Sequence, residues 1–231
     1  MIGIITAMES EAERLKSDIV SPVIKEISGV RFILGKLYDK DICLAVSGIG
    51  KVLAAITTEA MILNFKPGFI LSAGVAGALN YKLDIGDVAI AESHVQHDLD
   101  TTAIGDPKGL VSGINKIYFE SDIELVKILE TSAKNIGINY VKGVIASGDK
   151  FIKDDEGKSI KNEFNAIACE MESASIATVC YVNKVKNVCF RAISDKGDKN
   201  SGNDYTKFLK KACDSSYFMI KEFVKIAWKI V

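Results

Sequence analysis

The sequence predicts an α/β fold organised as one domain spanning residues 1–231. Three observations carry that expectation. Short apolar runs of strand length alternate with longer runs of helical periodicity along the whole chain. No internal repeat, low-complexity tract or linker divides it. The stretch Ala168–Asp195 reads strand, helix, strand, with Glu170 and Glu172 at one strand end and Asp195 at the other. Charges set among small and apolar residues are costly unless paired or in use. Open α/β sheets bind their ligands at such strand ends.

Taken in order, Ile2–Thr6 is a short apolar strand, and Ala7-Met8-Glu9-Ser10-Glu11 leads into a helix through about Ile19. Val30–Leu37 and Asp41–Ser47 read as strands joined by a polar turn at residues 38–40. Ser47-Gly-Ile-Gly-Lys51 is a loop entering the helix Val52–Asn64. Pro67 ends that segment, and Phe69–Ser72 is a buried strand. Ala73–Ala78 reads as a Gly-rich turn and Asp87–His94 as the next strand. Asp98–Gly113 is irregular, with Gly105, Pro107 and Gly109 as turn formers. An amphipathic helix covers Ile123–Ile136 and a strand Val141–Ala146. In the central stretch, Ile176, Ala177, Val179, Cys180 and Val182 form an apolar helix face, and Val185–Ile193 is a buried strand. Asp195–Asp204 reads as a solvated loop or lid. The last helix, about Tyr205–Lys229, places Leu209, Cys213, Ser216, Ile220, Phe223 and Ala227 on one face.

The totals narrow the function classes. A chain of 231 residues with 48% hydrophobic content buries roughly 70–75% of its unfolded surface and needs no staple. A net charge of −1 leaves no footprint for nucleic acid or an anionic membrane. The five cysteines (Cys43, Cys169, Cys180, Cys189, Cys213) are scattered, without metal spacing, as expected of buried free thiols in a reducing compartment. Met1 runs directly into strand-like residues without a signal-peptide pattern. The longest uncharged run, Pro67–Tyr81, is broken by glycines and shorter than the ~18 apolar residues of a spanning helix. A cytoplasmic, soluble protein is expected.

Single motifs are weak. Ser47–Lys51 fits a tight strand-to-helix turn better than a phosphate cradle, because the full P-loop pattern is absent. Gly74 and Gly77 match part of a dinucleotide fingerprint and equally allow close approach to the backbone. His94 and His97 fall on opposite faces of a strand and lack a third ligand, so no metal is expected. Met8 and Met171 read by default as core gap-fillers. Glu11 alone reads as a solvated helix carboxylate and Asp195 alone as a polar strand end. One of Glu170 and Glu172 is expected to be structural.

In combination these segments resemble the 5′-methylthioadenosine/S-adenosylhomocysteine nucleosidases of the nucleoside phosphorylase superfamily. The match runs in order through Gly3-Ile-Ile-Thr-Ala-Met-Glu-Ser-Glu11, Ser47–Lys51, Ala73-Gly-Val-Ala-Gly77, Ser147-Gly-Asp-Lys-Phe-Ile152, Glu170-Met-Glu172 and Arg191-Ala-Ile-Ser-Asp195. The last two together are highly specific. The resemblance implies a mixed, partly closed sheet flanked by helices, and a homodimer whose partner completes the pocket. It implies no cofactor, because water is the nucleophile that cleaves adenine from a 5′-thio-substituted ribose.

The resemblance also assigns roles. Asp195 is the acid that protonates the imidazole ring of adenine, oriented by Ser194. Glu172 binds the ribose hydroxyls, and Glu11 takes the proton from water with Arg191 nearby. Phe151 stacks on the purine, the Ile152 backbone bonds its edge and Met171 packs under the ribose. Met8, Ile49 and Tyr205 line the alkylthio pocket. Val75 stands where many members carry a serine. Ile104 and Asp106 lie in the loop passed to the partner, where aromatic residues are common; Ile104 keeps an apolar wall and Asp106 does not.

Three rivals remain. A phosphorylase needs a cationic clamp, and the chain has three arginines: Arg14, Arg31 and Arg191. Hydrolysis of another purine nucleoside, such as futalosine, is a second. A non-catalytic nucleoside-binding module is the third, disfavoured by the joint presence of Glu11, Glu172 and Asp195.

Overall fold

Strand β5 (Phe69–Ala78) is the axis of the computed structural model, which describes residues 1–153 and 155–227. One edge of β5 pairs in parallel with β10 (Lys186–Asp195) from Phe69 to Gly77. The other edge forks. Its first half pairs in parallel with β1 (Ile2–Thr6) over Phe69–Ser72, and its end pairs antiparallel with β9 (Ala166–Glu170) at Gly77 and Ala78.

The fork produces two sheet regions from one sheet. β9 pairs with β8 (Tyr140–Ser147), β8 with β6 (Val88–Gln96), and β6 with β10, which returns to β5. Five strands thus close into a ring. On the other branch, β1 leads to β4 (Lys40–Val46), β3 (Val30–Leu37) and the edge strand β2 (Val20–Ile27). The short β7 (Phe119–Glu120) pairs with β6.

Six α-helices flank this sheet among the described residues: α1 (Glu9–Asp18), α2 (Lys51–Phe65), α3 (Ile123–Ile136), α4 (Glu156–Phe164), α5 (Ser173–Asn183) and α6 (Ser201–Ile226). One core cluster packs Leu15, Leu129, Ile220 and Phe223 of α1, α3 and α6 on Ile4, Phe69 and Phe190. Phe223 meets Phe69 edge-on at 5.9 Å. A second seats Met61 and Ile176 of α2 and α5 on Ile5, Phe32 and Ile70. Inside the ring the cluster is dominated by small side chains, Ala76, Ala89, Ala91 and Ala168, with Ile145 and Ile193.

The structure corrects two readings and adds elements the sequence did not predict. Ala73–Ala78 is not a turn: it is the second half of β5, and its glycines serve close approach to side chains. Residues 195–204 are not all loop, because α6 begins at Ser201; Ser201 is fully buried and its hydroxyl accepts from the Asp198 amide at 2.7 Å. The expected end of that helix at Lys229 lies outside the described residues, and α6 itself ends at Ile226. Strands β2 and β7 and helix α4 were not expected. β2 is an exposed edge strand containing Pro22, with little buried alternation to mark it.

Candidate active site

The fork in β5 leaves Ala73–Ala76 without a strand partner on one edge. A side chain takes the vacant ladder position: the Val75 amide donates to Glu11 Oε1 at 2.9 Å. Glu11 is the third residue of α1, and its other oxygen accepts from the amides of Ala7 (2.9 Å) and Met8 (2.8 Å). The carboxylate is therefore gripped by the start of its own helix and by β5.

Glu11 lines a cleft of about 610 Å³, open solvent at its mouth included. The same cleft is lined by Met8, Ile49, Val75, Phe151, Ile152, Met171, Glu172, Ser194, Asp195 and Tyr205. Of the thirteen residues expected at the site, two do not line it. Arg191 lies behind the carboxylates, 2% exposed, and Ile104 projects from a 3₁₀ turn elsewhere on the surface, 81% exposed. Lining residues not expected include Lys150, Cys169, Gly77 and Glu170. Glu170 opens the Glu-Met-Glu motif at the end of β9 and Cys169 precedes it, a signal that the motif and its flank belong to the same wall.

The two motif glutamates have different surroundings. Glu170 accepts from Arg191 Nε at 3.1 Å and Nη2 at 2.5 Å, from the Ser173 amide and hydroxyl, and from the Ser147 hydroxyl. Arg191 Nη1 also donates to Ser72 Oγ at 3.1 Å. This burial favours neutrality for Glu170, but the Arg191 charge and these donors hold its carboxyl below its ordinary value. Glu172 instead faces the cleft. It takes one bond, from the Gly50 amide at 2.9 Å, and stands 3.9 Å from Arg191 Nη2. Burial, and then the charge of Glu170, push it up to about 7. The Ser47–Lys51 loop is thus a strand-to-helix turn whose backbone reaches Glu172. Gly48 and Gly50 sit at φ of 87° and 102°, where glycine is favoured.

Asp195 ends β10 opposite Gly77. Its Oδ2 accepts from Ser194 Oγ at 2.9 Å and its Oδ1 from the Gly197 amide at 3.0 Å. Burial raises its pKa against both bonds. Burial likewise raises that of Glu11 against the Arg191 charge and three amides. Two raised carboxyls on one cleft, Glu11 in the gap of the fork and Asp195 on the opposite edge of β5, suit paired proton transfers on a bound substrate. Above them Phe151 and Tyr205 meet edge-on at 5.6 Å, and the Tyr205 hydroxyl donates to Met8 Sδ at 3.2 Å. That end of the cleft is apolar and aromatic.

The histidines do not converge. His94 bonds Ser173 and Ser121, whereas His97 packs against Gly148. No group of three or more potential ligands that could hold a metal occurs among the described residues.

Comparison with known proteins places the chain in one superfamily. The model of the phosphorylase superfamily matches residues 1–225. The 5′-methylthioadenosine/S-adenosylhomocysteine nucleosidase of Staphylococcus haemolyticus is 39% identical over 98% of this chain and 100% of its own length. The crystal structure of the corresponding Neisseria meningitidis nucleosidase with methylthio-immucillin-A superposes with a TM-score of 0.93 at 34% identity, covering 97% of this chain and 98% of that one. The futalosine hydrolase structure from Helicobacter pylori also scores 0.93, at 36% identity and 97% coverage of both chains.

Proposed function

The chain belongs to the phosphorylase superfamily and, within it, to the 5′-methylthioadenosine/S-adenosylhomocysteine nucleosidases, and from that membership and the cleft we propose that it hydrolyses the N-glycosidic bond of both nucleosides. The products are adenine and the corresponding thioribose. The observation that carries this reading is the convergence of Glu11, Glu172 and Asp195 on one cleft with an aromatic, apolar rim.

Asp195, whose carboxyl burial biases toward the protonated form, donates its proton to the departing purine. The bond breaks toward an oxocarbenium-like ribosyl cation, which the ionised Glu172 binds through the ribose hydroxyls and stabilises by its charge. Glu11 accepts the proton of the attacking water. Each acid–base step of this kind contributes typically ~10²–10⁴-fold. Phe151 covers the purine face, the Ile152 backbone bonds its edge, and Met171 supports the ribose. Met8, Ile49 and Tyr205 enclose the 5′-thio group. Val75 contributes its amide to Glu11 and no side-chain hydrogen bond, so water placement falls on Glu11 itself.

Among the described residues the cleft holds no cationic clamp for phosphate, and Arg31 lines a different hollow. No arginine lines the cleft among the described residues. Arg14 pairs with Asp214 at the surface, and Arg191 is committed to Glu170. Lys150 lines the cleft but pairs with Glu156 at 2.6 Å. The deciding experiment is adenine release from methylthioadenosine with and without phosphate. Release independent of phosphate is expected; no release, or release only with phosphate, overturns the reading. A second reading, futalosine hydrolysis, is favoured by the equal superposition of the Helicobacter pylori hydrolase. Parallel turnover of futalosine tests it.

The protein acts as a homodimer. Support comes from the apolar surface of α2, where Val52, Leu53 and Ile56 are exposed beside Ile49, and from Ile104, exposed on its turn. Ile104 closes the partner's cleft. A cytoplasmic location is supported by five free cysteines, all buried. No helix among the described residues is long and apolar enough to cross a membrane.

A further inference from the structure

His94 on β6 is fully buried, 79 residues from its hydrogen-bond partner Ser173. Its Nδ1 lies 3.0 Å from Ser173 Oγ, and its Nε2 lies 3.2 Å from Ser121 Oγ. Proton counting fixes the direction of these bonds. Ser173 has one hydroxyl proton, and its oxygen lies 3.0 Å from Glu170 Oε1, an acceptor only. The neighbouring Ser147 hydroxyl spends its own proton on Glu170 as well. The Ser173 oxygen is then left as an acceptor, so the hydrogen between it and His94 belongs to Nδ1.

Burial drives the imidazolium down to about 4, leaving the ring neutral with a bare Nε2 that accepts from Ser121. The resulting chain runs one way: Ser121 to His94, His94 to Ser173, Ser173 to Glu170. At its end Glu170 bonds Arg191 and also accepts from the Glu172 amide at 3.2 Å.

We propose that His94 is a positioning residue for the hydrolysis, acting through Ser173 to fix Glu170, and through Glu170 the Arg191 guanidinium and the backbone that carries Glu172. This rests on the nucleosidase reading. Two of the Glu170 donors are rotatable hydroxyls, and each has its oxygen held from behind: Ser147 by the Ala174 amide at 2.8 Å and Ser173 by His94. The His94 N–H occupies the Ser173 lone pair and aims its proton at the carboxylate.

The experiment compares kcat and KM for methylthioadenosine, together with thermal midpoints, in wild type, H94L, H94N, S173A and the H94L/S173A double variant. H94L is expected to lose about tenfold in kcat with KM changed less than about twofold. H94N, whose amide N–H occupies the Nδ1 position, is expected to recover to within about threefold of wild type. S173A should fall as H94L does, and the double variant no further than S173A alone. Nitrogen NMR of the wild-type protein should find His94 neutral and protonated at Nδ1 between about pH 6 and 8. A wild-type kcat in H94L, losses that multiply in the double variant, or a His94 protonated at Nε2 overturns the proposal. The NMR result decides even if H94L does not fold. A wild-type protein that releases no adenine would sink the nucleosidase reading instead, with the tautomer still measurable.

Discussion

Gly74 lies directly behind the Glu11 carboxylate: a Cβ at position 74 would stand 2.6 Å from Glu11 Oε1. The backbone there is not in the left-handed region, so alanine is conformationally acceptable and the conflict is with the carboxylate alone. Gly74→Ala is expected to push Glu11 off the Val75 amide and lower kcat by about 10²-fold, the cost of an ångström-scale misplacement. A thermal midpoint near that of wild type, measured beside kcat, separates this from unfolding. Unchanged turnover removes Glu11 from the reaction.

Gly77 bears the same relation to Asp195, with a Cβ 2.8 Å from Oδ1. The direct test is Asp195→Asn. Its amide can still bond a purine nitrogen but cannot protonate it. Turnover should fall at least ~10²–10⁴-fold while calorimetry still detects nucleoside binding. Normal turnover in Asp195→Asn would take the acid role from this residue.

Glu172 makes stability depend on pH in a definite direction. Its folded pKa is raised to about 7 by burial and by the Glu170 charge. The folded protein therefore holds this proton more tightly than the unfolded chain, whose glutamate titrates near 4.5. The associated stabilisation is complete below about pH 4.5 and is lost as pH rises through about 7. Glu172→Gln should therefore be more stable than wild type by on the order of 1–2 kcal/mol at pH 8, with no difference at pH 4. Denaturant unfolding at both pH values checks this. A pH-independent difference would contradict the burial argument.

In the proposed homodimer, Ile104 is the residue whose role depends on a second copy. Replacing it by alanine removes apolar surface from the partner's cleft, and KM for methylthioadenosine is expected to rise about fivefold to tenfold with kcat little changed. Leu53→Asp, on the exposed face of α2, should yield monomers in sedimentation and raise KM similarly. A monomeric wild-type protein would end the dimer reading.

Much of this architecture was legible before the fold. The charged motifs at the ends of β9 and β10 stood out because burial of Glu170, Arg191 and Asp195 among apolar neighbours demands a reason. The alternation of strands and helices gave the class. What sequence could not reveal was pairing at a distance. The return of β10 to β5 closes the ring, and no local pattern encodes it. Ala73–Ala78 looked like a turn because glycine has that meaning in isolation; here it makes room for Glu11 and Asp195. The start of α6 was hidden because its first residues, Ser201-Gly-Asn-Asp204, are polar and weak helix formers. The pairing of His94 with Ser173 gave no signal, since 79 residues separate them.

Both carboxylates lean on one strand. Glu11 abuts Gly74 and Asp195 abuts Gly77, so three residues of β5 act as a ruler between them, roughly 10 Å of extended backbone. Along these residues β5 pairs on one side with β10, whose register shifts between Ile193 and Asp195. On the proposed reading, drift in preference among nucleosides arises at the rim, from Ile49, Tyr205 or, in the proposed dimer, a neighbour's Ile104, while the span between Glu11 and Asp195 is set by β5.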